Sequence, residues 1–88
     1  MEDKHKFPCA CCGHLVRYQL EYGSHNICVV CGWQDDESQT IEPDYAGGAN
    51  DESLNEAKEN YREIGAMSKD ALEWVRKPKP EEIPPEVN

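Results

Sequence analysis

Two copies of the pattern C-x-x-C-G, Cys9–Gly13 and Cys28–Gly32, are the part of the sequence with the clearest chemistry. Two thiolates three residues apart in a tight turn can bind the same metal ion, and the glycine after the second one permits a left-handed backbone. Two such knuckles separated by about 15 residues supply the four thiolates of a tetrahedral Zn²⁺ site. The spacing therefore predicts one bound zinc ion with four cysteine ligands: Cys9, Cys12, Cys28 and Cys31.

A fifth cysteine, Cys11, lies inside the first knuckle, so the choice of ligands there needs an argument. Cys12 is followed by glycine, as Cys31 is in the second knuckle, and counting back three positions from Cys12 reaches Cys9. Cys11 then occupies the same position as Val30, where a side chain normally points away from the metal. Cys11 is either a free reactive thiol beside an electropositive metal or a small buried residue, and we favour the second interpretation.

Four protein ligands leave no coordination position for water or substrate, so the predicted metal is structural and the protein is not expected to be an enzyme. His14 and His25 flank the knuckles and could hydrogen-bond to sulfur, but we interpret them as loop residues. No nucleophile–base pair or glycine-rich phosphate loop is recognisable. A group of acids could form a second, oxygen-ligand site, but its spacing fits no EF-hand loop and solvated turns are favoured: Asp35, Asp36, Glu37 and Asp44.

The chain has 88 residues, which is room for one domain with a marginal apolar core. It begins without a secretory signal pattern and contains no run of about 20 apolar residues, so we expect a soluble cytoplasmic protein with no membrane contact. Thiols stay reduced in the cytoplasm, where a dense cysteine pattern more often binds metal than forms disulfides. Size and compartment therefore both favour metal as a stabilising element.

The formal net charge is −9, and most of it comes from residues 33–63, whose only bases are Lys58 and Arg62. An acidic surface of this kind repels phosphate backbones, so nucleic-acid binding is not expected. It is suited to a protein partner with a basic surface, although a solvated face that keeps a small protein soluble explains the same charge.

Short strands are predicted to carry the two knuckles. The alternation of residues 15–21 indicates a strand with a period of two. Residues 33–34 are predicted to continue the second knuckle as a strand, and residues 39–41 to return antiparallel after a turn. One face of the first strand would present three apolar side chains: Val16, Tyr18 and Leu20.

A helix is predicted from Ser53 to Gly65. Ser53 is an N-cap residue, Glu56 completes a capping box, and Gly65 is suited to the left-handed position that ends a helix. Ser68 is a candidate cap for a second, shorter helix. The first helix carries an apolar stripe, which we expect to pack on the apolar face of the 15–21 strand: Leu54, Ala57, Tyr61 and Ile64.

These elements predict a small α+β fold, a zinc-ribbon-like antiparallel sheet with two C-x-x-C-G knuckles followed by one or two C-terminal helices. The predicted organisation is a flexible N-terminus over residues 1–6, a zinc-binding domain over 7–77, and a disordered tail over 78–88. The tail is rich in proline and glutamate and has only two isolated apolar residues, so nothing in its composition predicts packing.

An ordered series of short segments runs through most of the chain: 7–13 (FPCACCG), 27–31 (ICVVC), Trp33, 35–36 (DD), 43–45 (PDY), 47–50 (GGAN), 53–57 (SLNEA) and 60–61 (NY). In this order the segments resemble the bacterial cysteine-rich CPCC family of small, largely uncharacterised proteins. Ala10 stands where the family has its eponymous proline, which is not a ligand, so the departure leaves metal binding unaffected. The resemblance supports a zinc-ribbon-like fold and a bacterial cytoplasmic setting, and it implies no established activity.

The leading functional hypothesis is a non-enzymatic, zinc-stabilised module for protein interaction or regulation, with the acidic middle and the loop 43–52 facing the partner. The alternative is a rubredoxin-like electron-transfer protein, because rubredoxins also hold iron between paired C-x-x-C-G knuckles. Their knuckles are usually farther apart, and a helical C-terminal half is foreign to them. A nucleic-acid-binding zinc ribbon is a third hypothesis, which the acidic charge disfavours.

Overall fold

Short strands, helices and 3₁₀ turns alternate with loops in the computed structural model, which describes residues 6–19 and 21–84. β1 and β2 pair antiparallel, with Phe7 opposite Arg17. This architecture confirms the predicted small α+β, zinc-ribbon-like fold. The elements in chain order are β1 (Phe7–Pro8), β2 (Leu15–Arg17), α1 (Glu37–Ile41), α2 (Leu54–Ile64) and two 3₁₀ turns (Asp70–Glu73 and Pro80–Glu82).

Each knuckle is the turn of a narrow antiparallel hairpin. In the first hairpin the Cys9 N–H donates to the His14 carbonyl at 2.9 Å. In the second the Cys28 N–H donates to the Trp33 carbonyl at the same distance. The two hairpins therefore present their cysteine pairs in the same backbone geometry.

Strand β2 is shorter than the alternating pattern of the sequence predicts. Alternation predicts a strand over 15–21, but β2 ends at Arg17. The Arg17 guanidinium donates to the carbonyls of Gln19 and Glu21 at 3.0 and 3.2 Å, so it bonds carbonyls that a longer strand would offer to a neighbour. Leu20 lies outside the described residues.

The segment after the second knuckle becomes helical only at Glu37. The strand predicted at 33–34 is reduced to one isolated antiparallel bridge at Gln34. The prediction of a strand at 39–41 is wrong, because those residues belong to α1. The carboxylate of Asp36 accepts the Gln39 N–H at 3.2 Å and caps the helix. This cap and the complete burial of Gln39 outweigh the strand propensity of a three-residue segment.

Gln39 and Asn50 form a buried amide pair that holds the loop between α1 and α2. Gln39 Oε1 accepts hydrogen bonds from the backbone N–H and the side-chain amide of Asn50, at 3.1 and 2.9 Å. The Asn50 side chain also bonds the backbone N–H and C=O of Gln34, both at 2.8 Å, as a neighbouring strand would. Gln39 Nε2 lies within hydrogen-bonding distance of three loop carbonyls: those of Tyr45, Asn50 and Glu52.

Helix α2 has the caps that the sequence predicts. The Ser53 hydroxyl accepts the Glu56 N–H, and the Glu56 carboxylate accepts the Ser53 N–H, which completes the capping box. Gly65 ends the helix in the left-handed conformation, with φ of 83°. Both signals act between residues a few positions apart, so they do not depend on the rest of the fold.

The apolar stripe of α2 packs mainly on the knuckles, and of the predicted strand face only Val16, among the described residues, packs against the same core cluster. Tyr18, which that face was expected to include, is 60% exposed. β2 has three residues and α2 has eleven, so the sheet is too short to cover the helix. The two stripe residues at the start of α2, Leu54 and Ala57, lie instead in one buried cluster with residues of both knuckles: Cys9, Cys11, Cys28, Val30, Cys31 and Trp33.

The chain after α2 runs along the outside of the second knuckle. The Met67 N–H donates to the Cys31 carbonyl at 2.7 Å, and the Arg76 N–H donates to the Val29 carbonyl at 3.0 Å. Between these two bonds the predicted second helix is a 3₁₀ turn, Asp70–Glu73. The segment is therefore hydrogen-bonded to the second knuckle near both of its ends.

The tail predicted to be disordered has structure where it is described. It contains the 3₁₀ turn Pro80–Glu82, and the Glu82 side chain is buried. The Glu82 carboxylate accepts two hydrogen bonds from the Arg76 guanidinium, at 2.9 and 2.8 Å. Composition cannot reveal an ion pair of this kind. Residues 1–5 and 85–88, at the two predicted flexible ends, lie outside the described residues.

Candidate metal centre

The structure brings together the four cysteines that the spacing selects. Two of their sulfur pairs are Cys9–Cys31 at 3.7 Å and Cys12–Cys28 at 3.8 Å. A tetrahedron with Zn–S bonds of about 2.3 Å places its sulfurs about 3.8 Å apart, so the geometry fits such an ion. All four Sγ atoms lie within 4.8 Å of one another and can hold one metal ion. We call this group the thiol quartet: Cys9, Cys12, Cys28 and Cys31.

The four thiols do not ionise independently. Hydrogen bonds from the Cys12 and Cys31 thiols lower the pKa of Cys28 below its usual value. The same contact with Cys28, together with burial, raises the pKa of Cys12. Four thiolates this close together repel one another unless a cation lies among them. A soft divalent ion would supply the charge that lets all four ionise.

Backbone N–H groups are also directed at the sulfurs. In the first knuckle the Cys11 N–H donates to Cys9 Sγ at 3.4 Å. The second knuckle supplies three such bonds, each 3.4 Å long, to the sulfurs of Cys28 and Cys31. Hydrogen bonds to the charged form of a group favour that form, so these donors stabilise thiolates. Their donors in the second knuckle are the N–H groups of Val30, Cys31 and Trp33.

The thiol quartet is enclosed by its surroundings. Three of its cysteines are buried and Cys12 is half-buried. Trp33 is 2% exposed and covers the core beside it. A cavity lined in part by Cys9, Cys28 and Trp33 has a volume of about 20 Å³, which is room for about one water molecule. A substrate would not fit in this cavity.

Cys11 lies outside the thiol quartet, although it is close to it. Its side chain is 8% exposed, which agrees with the favoured interpretation as a small buried residue. A hydrogen bond with the Cys11 thiol raises the pKa of Cys31.

In the described part of the chain neither histidine hydrogen-bonds to a cysteine sulfur. His14 packs edge-on against Tyr61, with 6.0 Å between ring centres, and His25 is exposed with φ of 68°. Burial and the charges of nearby sulfurs, Cys12 first, raise the pKa of Tyr61 to about 12. The stripe pattern identifies Tyr61 as a core residue, but its position beside the quartet follows only from the packing of α2 on the knuckles.

Three of the four acids considered for an oxygen-ligand site have separate structural roles. Asp36 caps α1, and Asp35 accepts hydrogen bonds from the backbone N–H and hydroxyl of Ser24 at 3.0 and 2.9 Å. Asp44 accepts a hydrogen bond from an asparagine side chain of α2 at 2.8 Å. Across residues 6–19 and 21–84, the thiol quartet is the one cluster of Cys, His, Asp or Glu with metal-binding geometry.

The sequence matches the family described as cysteine-rich CPCC over residues 7–82. The match includes both knuckles, α2 and the turn Pro80–Glu82. A comparison with curated proteins finds no match. Among the described residues, no helix has the length and apolar character needed to cross a membrane.

Proposed function

This chain belongs to the cysteine-rich CPCC family, and on that premise we propose that it is a structural zinc-binding module that acts by binding another protein. The observation that carries the proposal is the thiol quartet, whose buried members are part of the hydrophobic core. A metal there would join two hairpins and, through them, the helix packed on both. Such a crosslink supplies the stability that a small apolar core lacks.

Zinc is the metal that we propose for the quartet. Four thiolates suit a soft ion, and a closed tetrahedral set is the usual arrangement of structural zinc. An iron site of the rubredoxin type would use the same ligands, and it makes electron transfer the alternative. The helical C-terminal half, which packs on the second knuckle, is foreign to rubredoxins and supports zinc.

We propose no catalytic activity, because four protein ligands would fill the coordination sphere of the metal. The small volume beside Cys9 and Cys28 supports this, since it admits no substrate. All five cysteines are free thiols, and thiols persist in reducing compartments. These thiols are the reason that we place the protein in the cytoplasm.

The partner surface that we propose is acidic. Glu59 and Glu63 are exposed on α2, and the loop 43–52 is largely exposed while the amide pair holds it in place. With a net charge of −9, this surface would attract a basic protein at long range, and more strongly at low salt. The same charge disfavours nucleic acid as the partner.

Metal analysis of purified protein tests the metal and its ligands. We expect protein expressed with both iron and zinc available to be colourless and to contain about one zinc per chain. Cys11→Ser should keep this stoichiometry, whereas Cys9→Ser and Cys12→Ser should lose it. Iron–thiolate absorbance in the native protein would favour the electron-transfer alternative. Loss of metal from Cys11→Ser would show that the choice of ligands in the first knuckle is wrong.

Co-purification from the native host tests the partner surface. We expect proteins that elute with the wild type to be absent when Glu59 and Glu63 are both changed to lysine. Exposed Glu21 lies outside the acidic surface, so Glu21→Lys is the matched control and should retain them. Equal retention by all three proteins would contradict the proposed surface, provided that their melting temperatures agree.

A further inference from the structure

The second half of the α2 stripe is not covered by the rest of the described chain. Tyr61 is half-buried, and Ile64 is 38% exposed. Beside them lie Leu72, which is 47% exposed, and half-buried Val75. Together these four side chains line a groove of about 510 Å³ between the end of α2 and the segment 72–78.

The rim of this groove is basic, although the protein as a whole is acidic. Arg62, Arg76 and Lys77 line it, and no carboxylate is among the described residues that do. Arg62 pairs with Glu59 and Arg76 with Glu82, but both glutamates lie outside the lining. Among the described residues, Lys77 is thus the lining cation without a carboxylate partner, so the rim offers an unpaired positive charge beside an apolar floor in a chain with net charge −9.

We propose that this groove binds a short protein segment that combines apolar side chains with carboxylates. Scattered apolar residues are normal on a protein surface, but a contiguous apolar patch rimmed by polar groups is typical of interaction sites. The apolar floor would take the side chains of the segment, and the cations would take its carboxylates. The site is distinct from the acidic surface proposed above, because it has the opposite charge and selects the opposite partner.

The groove depends on the fold around the thiol quartet. Tyr61 and Val75 both pack against the core cluster that contains the quartet cysteines. The backbone N–H of Arg76 donates to the Val29 carbonyl in the second knuckle. Removal of the metal should therefore abolish binding in the groove, whichever metal the quartet holds. Binding in the groove thus needs the metal-stabilised fold proposed above, but it does not depend on the proposed acidic partner surface.

Selection of peptides from a random library displayed on phage tests the proposal. The metal-loaded wild type is the bait, and a Leu72→Asp, Lys77→Glu variant removes phage that bind elsewhere. We expect the surviving peptides to be rich in aspartate or glutamate next to leucine, isoleucine or aromatic residues. A synthetic peptide with the consensus sequence should bind the wild type and lose at least about tenfold in affinity to Lys77→Glu or to Leu72→Asp.

Matched controls separate this site from general electrostatics and from misfolding. Lys58 is exposed on α2 and does not line the groove, so Lys58→Glu makes the same change of charge and should leave affinity within about twofold. Metal content and melting temperature should match the wild type in each exposed-site variant.

Three results would overturn the proposal. The first is that the selected peptides are basic or show no enrichment. The second is that Lys58→Glu weakens binding as much as Lys77→Glu. Sedimentation could also show a dimer that Leu72→Asp dissociates, in which case a second copy of this chain is the occupant of the groove.

Discussion

Two regions of the interior contain buried polar groups: the thiol quartet and the amide pair of Gln39 and Asn50. The polar groups of the two regions obtain their partners in different ways. Burial of an unpaired polar or charged group costs free energy in either region. The amide pair is completed by loop carbonyls and by the backbone of Gln34, all within the chain. The quartet needs a cation from outside the chain before all its thiols can ionise.

This difference makes the stability of the two regions separable. The quartet holds together residues of the two knuckles and depends on metal and on proton concentration, because protons compete for its thiolates. The amide pair holds the loop 43–52 and contains no titratable group. Changes at the quartet should therefore unfold the domain, and changes at the amide pair should weaken it while metal stays bound.

The largest effect should follow removal of the metal. Apparent binding energies of structural zinc are on the order of 10–16 kcal/mol, against about 5–15 kcal/mol for the total stability of a domain. We expect EDTA, or Cys28→Ser, to abolish the near-UV circular dichroism of buried Trp33. A chelated protein that kept native dispersion in its NMR spectrum would show that the amide pair and the apolar core are sufficient for the fold.

A smaller but substantial effect is expected from Gln39→Ala. It removes a fully buried side chain and takes away the hydrogen-bond partner that Gln39 supplies to the Tyr45 and Glu52 carbonyls and to the Asn50 backbone N–H, at a cost of about 3 kcal/mol. Urea unfolding with excess zinc should show this loss while metal content stays at the wild-type level. Exposed Gln19 provides the control, since Gln19→Ala should change little. Loss of zinc from Gln39→Ala would mean that the two regions are not separable.

The two knuckle glycines should respond unequally to substitution, because their surroundings differ. Gly13 and Gly32 both have positive φ, 80° and 94°. A methyl group at Gly32 would lie 2.7 Å from the Ala71 side chain, whereas one at Gly13 would meet nothing within 4 Å. We expect Gly13→Ala to cost about 1 kcal/mol from backbone strain and Gly32→Ala about 2–3 kcal/mol, because a clash is added. Equal losses in urea unfolding would show that the segment after α2 does not support the second knuckle as described.

The smallest effect should come from the ion pair at the end of the chain. Arg76 lowers the pKa of Glu82 to about 2, below the usual value of about 4.3 in an unfolded chain. The contribution of this ion pair to the free energy of unfolding is therefore fully present above about pH 4.3 and is lost only as the pH falls toward 2. Glu82→Gln should lower the melting temperature by a few degrees at most, by the same amount at pH 8 and pH 5.5.

Exposed Glu81 provides the neighbouring control for this ion pair, since Glu81→Gln should have no effect. Hydrogen exchange should also become faster at residues 79–83 in Glu82→Gln but not in Glu81→Gln. A difference between wild type and Glu82→Gln that shrank from pH 8 to pH 5.5 would contradict the low pKa of Glu82.

The groups that sequence analysis identified are those whose partners lie at short, fixed spacings. The thiol quartet follows from two identical five-residue patterns, and both caps of α2 follow from residues at most a few positions apart. The same comparison of the two patterns excludes Cys11 from the ligands. In each case the hydrogen bonds or ligand positions are properties of one turn, so no other part of the fold is needed to predict them.

The remaining features depend on contacts between residues that are distant in sequence and have no pattern. Helix α1 replaces the predicted strand because Gln39 finds its partners across the loop in Asn50 and Glu52. The ordered tail depends on the pairing of Glu82 with Arg76. The stripe of α2 could be identified from its period, but a period does not name the surface that receives it. Because β2 ends after three residues, that surface is the pair of knuckles, and the uncovered half of the stripe is left as the groove.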